Sequence, residues 1–266
     1  MHSRQILRTH TLSTSLLRRT PVRKLPLHLS AAALALLLAL PAAAGMGTPA
    51  APESSQSAAS SSRSSQLEGV LSQMDSGAAA FKSATADFKW DQYQKVVDET
   101  DSQSGKIYFR RNGKETQMAA DITQPAKKYV VYSGGKIRFF QPQIDQITEK
   151  DTGANREQVE SFLVLGFGGA GHDLLKTYDV TYAGNEAIDG QQTAKLELVP
   201  KNPKVRSMFN KIVIWVVPEK AISLKQQAFE PSGDSRTAFY SNIQLNKRIS
   251  DDVFRIKTDA ATKTVR

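Results

Sequence analysis

The chain has 266 residues, with 35 Lys and Arg against 26 Asp and Glu, a formal net charge of +9, four histidines and no cysteine. The missing cysteine excludes a disulfide scaffold and, with so few histidines, an ordinary zinc centre of nitrogen and sulfur ligands. The basic excess would suggest nucleic acid if it were spread over a folded surface, but it is concentrated at one end.

Residues 1–44 carry six of the Lys and Arg, none of the acidic residues and three of the histidines. Arg18, Arg19, Arg23 and Lys24 precede an apolar run over 27–40, and Pro41-Ala42-Ala43-Ala44 supplies a break and small residues. This predicts a secretory signal peptide over 1–44, cut after Ala44; the run is too short and too interrupted by His28 and Ser30 to span a bilayer. Without it the net charge is about +3, so a nucleic-acid partner loses its support. The expected location is the periplasm, and His172 is the one histidine left. Residues 45–65 are rich in Ala, Ser and Pro, bury too little to fold, and are expected to form a disordered tether. Residues 66–266 suffice for one domain with a full core.

A helix opens that domain, because Leu67, Val70, Leu71, Met74, Ala78 and Phe81 recur at helical spacing and make one apolar stripe. The period then switches to two. Ala86, Phe88 and Trp90 alternate with charged residues, Ile107, Phe109 and Arg111 with Lys106, Tyr108 and Arg110, and Met118, Ala120 and Ile122 follow. Further strands are predicted over 127–133, 136–141, 143–149, 177–184, 192–200, 211–218, 222–230 and 235–246, giving about eleven antiparallel strands with polar or Gly-containing turns. One stretch breaks the pattern: 155–176 predicts two helical pieces joined by a glycine-rich apolar segment. The fold class is α+β, a large antiparallel sheet with a few helices against one face.

Gly166-x-Gly168-x-x-Gly171 matches a dinucleotide-binding loop by letter. Such a loop must open a βαβ unit of a parallel sheet, and alternating antiparallel strands surround this one. Asp189, at the distance of a ribose-binding acid, falls in an Asp-Gly turn. His172 and Asp173 are neighbours and cannot orient each other as base and acid, so they are expected to be a solvated pair at a helix start. Asp98/Glu99 belong to a hairpin turn, and Ser250 caps a short turn begun by Asp251/Asp252. No catalytic residue, metal site or cofactor is predicted. Phe162-Leu163-Val164-Leu165-Gly166-Phe167 is the more telling stretch, because it needs an apolar partner. A sheet with one apolar concave face and an apolar cover is a container for a lipid.

Ser104-Gly105-Lys106-Ile107-Tyr108-Phe109-Arg110-Arg111, Ile122-Thr123-Gln124-Pro125, the run 133–147 and Leu198-Val199-Pro200-Lys201 follow one another in an order and spacing that resembles the LolA family of periplasmic lipoprotein carriers and related LolA-like lipid carriers. The resemblance covers about 67 to 258. It implies an unclosed antiparallel β-barrel, a half-barrel of about eleven strands, covered by helices that form a lid over a cavity for acyl chains. It also implies a non-enzymatic chaperone that shuttles lipoproteins from inner to outer membrane. Its partners would be acylated lipoproteins, an inner-membrane lipoprotein-releasing ABC transporter and an outer-membrane receptor, and it would work as a monomer. The alternative is a module on the same fold that senses lipid or lipoprotein and signals through a protein partner.

Arg111 falls where the family has an arginine that latches the lid, and Asn112 stands where a proline usually follows. Parity from Arg111 and apolar alternation give Phe88, Trp90, Ile107, Phe109, Met118 and Ile122 as the cavity wall. Phe162, Leu163, Leu165, Phe167 and Leu174 are the expected lid, and Gly166, Gly168, Gly169 and Gly171 its expected hinge.

Overall fold

Helix α1 spans Glu53–Ala80 in the computed structural model, which describes residues 53–113, 115–153, 156–163, 165–257 and 262–265. The expected signal peptide and the first part of the tether lie outside those residues. The expected stripe is the packed face: Leu71, Met74 and Ala78 are buried, as is Phe81 just past the helix, and Leu67 and Val70 are half-buried. The tether is corrected over 53–65, which continue this helix. No Gly or Pro interrupts the chain between Pro52 and Gly69. A helix nucleated by the packed turns from Leu67 onward therefore extends through Ala and Ser at little further cost.

Among the described residues twelve strands form one sheet. In chain order they are β1 Ser83–Gln94, β2 Glu99–Asn112, β3 Glu115–Gln124, β4 Lys128–Ser133, β5 Lys136–Gln141 and β6 Gln146–Asp151. After helices α2 Arg156–Leu163 and α3 Gly171–Thr177 come β7 Tyr178–Ile188 and β8 Gln191–Pro200. The short helix α4 Pro203–Arg206 leads to β9 Lys211–Val217, β10 Ile222–Phe229, β11 Ser235–Leu245 and β12 Lys263–Val265. The eleven expected strands are present. β12 is the addition, a three-residue parallel strand beside β6, too short for a period to show. Asp189 and Gly190 sit at φ 48° and 78°, the two positive-φ positions of a tight hairpin turn. That turn accounts for Asp189 without any ligand.

The strand order is β12-β6-β5-β4-β3-β2-β1-β11-β10-β9-β8-β7. β1 joins two meanders by pairing with β2 on one side and β11 on the other. β6 and β7, consecutive in sequence, end up near opposite edges and do not pair, so the barrel stays open. Their connection, residues 152–177, must therefore cross the sheet, and α2 and α3 lie on that crossover.

Alternation sorts each strand into two faces. Ile107 and Phe109 of β2, Met118, Ala120 and Ile122 of β3 and Tyr132 of β4 share one apolar cluster on the concave side with Phe81, Phe88 and Tyr240. A second cluster joins Leu71 and Met74 of α1 to Leu174 of α3 and to Leu196, Leu198, Ile212 and Ile214 of β8 and β9. On the convex side Ala119 and Val131 pack on Phe254, in a 3-10 turn over Asp251–Phe254 whose cap is Ser250, accepting from Asp252 N at 3.3 Å.

Candidate functional site

The six expected wall residues come together on the concave face. Phe88, Ile107, Phe109, Met118 and Ile122 belong to its buried cluster, and Trp90 packs against that cluster while keeping part of its surface in water. The Trp90 and Phe88 rings meet at 4.1 Å between centroids, tilted by 32°. One residue of register error would have sent Tyr108 and Ala119 inward instead. Both lie on the convex face, lining a cavity of about 450 Å³ with Tyr129, Val131 and Phe140. The concave face, in turn, is filled by the protein's own cover.

Phe167 does most of that filling. It is 1% exposed, stacks on Phe109 at 4.3 Å and meets Tyr240 edge-on at 5.0 Å. Leu163 and Val159 of α2 pack at the margin of the same cluster. Leu165 and Leu174 are buried in the other cluster, against α1, β8 and β9. Phe162 is 44% exposed and stacks on Phe209, ahead of β9, at 5.9 Å. The cover therefore closes over two cores rather than one.

The glycines are expected above as a pliable hinge, and for three of them the structure assigns a different cause. A Cβ on Gly168, at φ 78°, would lie 2.3 Å from the Phe81 ring; one on Gly171 would lie 2.3 Å from the Leu71 carbonyl oxygen; one on Gly166 would meet Gln226 at 2.1 Å. Gly169 is buried beside them. Phe167 bridges to Ile222, Gly168 N donates to Ala221 O at 2.8 Å and Ser223 N donates to Gly166 O at 2.8 Å. Gly171 permits a close approach to the α1 backbone and Gly168 to the Phe81 ring, whereas Gly166 faces the movable end of the Gln226 side chain. They are docking points.

Arg111 sits at the junction. Its Nη1 donates to the carbonyls of Ala78 at 2.9 Å and Phe81 at 3.4 Å, and its Nη2 to that of Gly168 at 2.9 Å. One guanidinium thus caps the end of α1, satisfying carbonyls that have no intrahelical donor, and ties the glycine segment to it.

Two contacts were not legible in the sequence. The Tyr132 hydroxyl donates to Glu160 Oε1 of α2 at 2.7 Å, and Arg156 holds the same oxygen at 2.9 Å. Burial, and then the bond to the Glu160 carboxylate, push the Tyr132 hydroxyl up to about 12. Alternation on β4 places Tyr132 inward, but nothing in sequence pairs it with Glu160. The other contact corrects the solvated His172–Asp173 pair. Asp173 pairs with Lys176, whereas His172 binds two acids of α1: Nδ1 and the backbone N meet the Asp75 carboxylate, and Nε2 lies 3.1 Å from Glu68 Oε1. The Asp75 bond raises the His172 pKa above its ordinary 6.5, against a smaller opposing effect of desolvation. A raised folded-state pKa contributes stability that is fully present below the unfolded value and is lost as pH rises through the folded value. Hydrogen exchange across Gly171–Thr177 is therefore expected to speed up as pH rises through the His172 titration, after correction for the intrinsic rate. His172→Gln should remove that step, and a profile identical in both proteins would contradict the assignment.

Among the described residues no cluster of three or more His, Asp or Glu is placed to hold a metal. The family model for the outer membrane lipoprotein carrier protein LolA matches residues 79–257, from the end of α1 to beyond the 3-10 turn. The chain belongs to the LolA family. No curated protein matches it. Solved structures similar to it include an uncharacterised conserved protein of Thermus thermophilus, with 8% identity, a TM-score of 0.49 and coverage of 76% of this chain and 99% of that one. A LolA superfamily protein of Nitrosomonas europaea has 16% identity, a TM-score of 0.37 and coverage of 71% and 97%. The Mycobacterium tuberculosis lipoprotein LppX has 12% identity, a TM-score of 0.42 and coverage of 70% and 97%. This LolA-family chain has the family's open antiparallel sheet and helical cover.

Proposed function

We propose that this LolA-family protein works in the periplasm after cleavage of its leader. There it takes the acyl chains of lipoproteins onto the concave face, receives them from an inner-membrane ABC transporter and delivers them to the outer membrane. The observation that carries the proposal is the continuous apolar surface from Phe88 through Ile107 and Met118 to Tyr132, closed by a segment that must cross it. Each buried CH₂ is worth about 0.8 kcal/mol, so one chain of about 16 carbons represents on the order of 12 kcal/mol of water exposure to avoid. A carrier must hide that surface and still release it, which favours a cover of weak, reversible contacts over a sealed core. The reaction is binding and transfer, with no covalent step.

The mature protein added to spheroplasts that are exporting an acylated lipoprotein is expected to bring that lipoprotein into the soluble fraction as a complex. A lipoprotein whose acceptor cysteine is replaced, and which carries no acyl chain, should not be bound. Equal recovery of both, or of neither, would contradict the proposal.

A further inference from the structure

We infer that the cover has two mechanical parts and that α2 alone opens, released when the Tyr132 hydroxyl gives up Glu160, while the glycine segment stays docked under Arg111. The inference deepens the carrier reading, resting on it for what the opening admits.

The two parts are held in different ways. The segment 165–169 is buried throughout, bridges β10 at Phe167 and Ile222, exchanges backbone hydrogen bonds with Ala221 and Ser223, and accepts from Arg111. Its Gly168 approaches the Phe81 ring too closely for a side chain. To lift it would break several backbone bonds in an apolar setting at once, leaving buried donors and acceptors without partners.

α2 is attached at its rim. Val159 and Leu163 are half-buried, Phe162 is 44% exposed, and the Arg156 side chain would lie 3.5 Å from a Cβ added at Gly135. The bond from Tyr132 to Glu160, at 2.7 Å, links the helix to β4, and the ring contact of Phe162 with Phe209 links it to the chain entering β9. In the sheet those two strands are separated by β3, β2, β1, β11 and β10. The last turn of α2 thus touches both walls of the half-barrel. Behind it, Val159 and Leu163 pack on the same cluster as Trp90, Val130 and Ile137, all of which already keep part of their surface in water. Raising α2 would uncover a contiguous apolar strip from Trp90 across to Ile137 without disturbing Phe167. The Tyr132 hydroxyl remains protonated at neutral pH, so it stays a donor and Glu160 its charged acceptor.

Tyr132 and Glu160 are positioning residues, and the readout is local exchange rather than transport. In the lipid-free mature protein Tyr132→Phe keeps the buried ring, and Glu160 keeps Arg156, so the melting temperature should change little. Amide exchange at Glu160–Leu163 is expected to rise about tenfold, the loss of one hydrogen bond to a charged acceptor, with 165–169 and Ser223 as protected as before. Glu160→Ala should reproduce the effect. Unchanged exchange in α2 would overturn the inference, as would a parallel rise in 165–169, which would mean one rigid cover. Because the measurement contains no lipid, its failure and a failure of the carrier reading are separate results.

Discussion

Gly168→Ala is expected to lower the unfolding free energy by about 3 kcal/mol, the sum of a left-handed backbone for a residue with a Cβ and overpacking against a buried ring. Gly168 has φ 78° and its added Cβ would fall 2.3 Å from the Phe81 ring. Phe81 is buried in the concave cluster and cannot move away without disturbing Ala84 and Phe109 in the same cluster. For a domain of this size that corresponds to a fall in melting temperature of about 6–12 °C. If the glycine served only its left-handed backbone, with open space beside it, alanine would cost about 1–2 kcal/mol and the overpacking contribution would be missing. Thermal denaturation of the single variant separates the two.

Arg111→Leu is the second large effect. It removes the donors that serve the carbonyls of Ala78, Phe81 and Gly168. Leucine retains part of the aliphatic packing and supplies none of the hydrogen bonds, so a loss of about 2 kcal/mol is expected, with exchange rising where the bonds were. The affected amides should be those of the glycine segment and of the chain leaving α1. Under the two-part cover, Arg111→Leu and Tyr132→Phe act on different segments and their effects on stability should add. A carrier with Arg111→Leu is expected to close poorly and to release or reload cargo abnormally. Wild-type stability together with wild-type transfer kinetics would remove Arg111 from the account.

Where a single period governs a segment, the sequence shows which face of it packs. The stripe from Leu67 to Phe81 and the alternation through Ile107, Phe109, Met118 and Ile122 name the packed faces, because each residue answers mainly to its own element. Features set by contacts distant in sequence are a different matter. His172 and Asp75 are 97 residues apart, and Tyr132 and Glu160 are on different elements, so no local pattern couples them. The glycine cluster shows how composition can mislead: a run of glycines reads as loose backbone, yet the missing Cβ admits the Phe81 ring at Gly168 and the Leu71 backbone at Gly171. The Ser-rich start of α1 misleads in the opposite direction, since its low apolar content conceals a helix carried forward from the packed turns that follow.

The cover also decides where cargo would go. Phe167 occupies the centre of the concave face and is fixed by stacking and backbone bonds, so an acyl chain would enter beside it, under α2, along Trp90, Val130 and Ile137. Those half-buried side chains would be the first to contact lipid, and the deeper wall residues Ile107 and Met118 would form the floor.

The most direct measurement places a photo-crosslinking amino acid at Val130 or at Tyr129, neighbours that face opposite sides of β4. The mature protein is then exposed to an acylated lipoprotein released from spheroplasts. Crosslinks from position 130 to the acylated species, absent at 129 and absent with the non-acylated form, are the predicted result. Crosslinking from 129, or none from 130 while a complex still forms, would contradict cargo binding on the concave face.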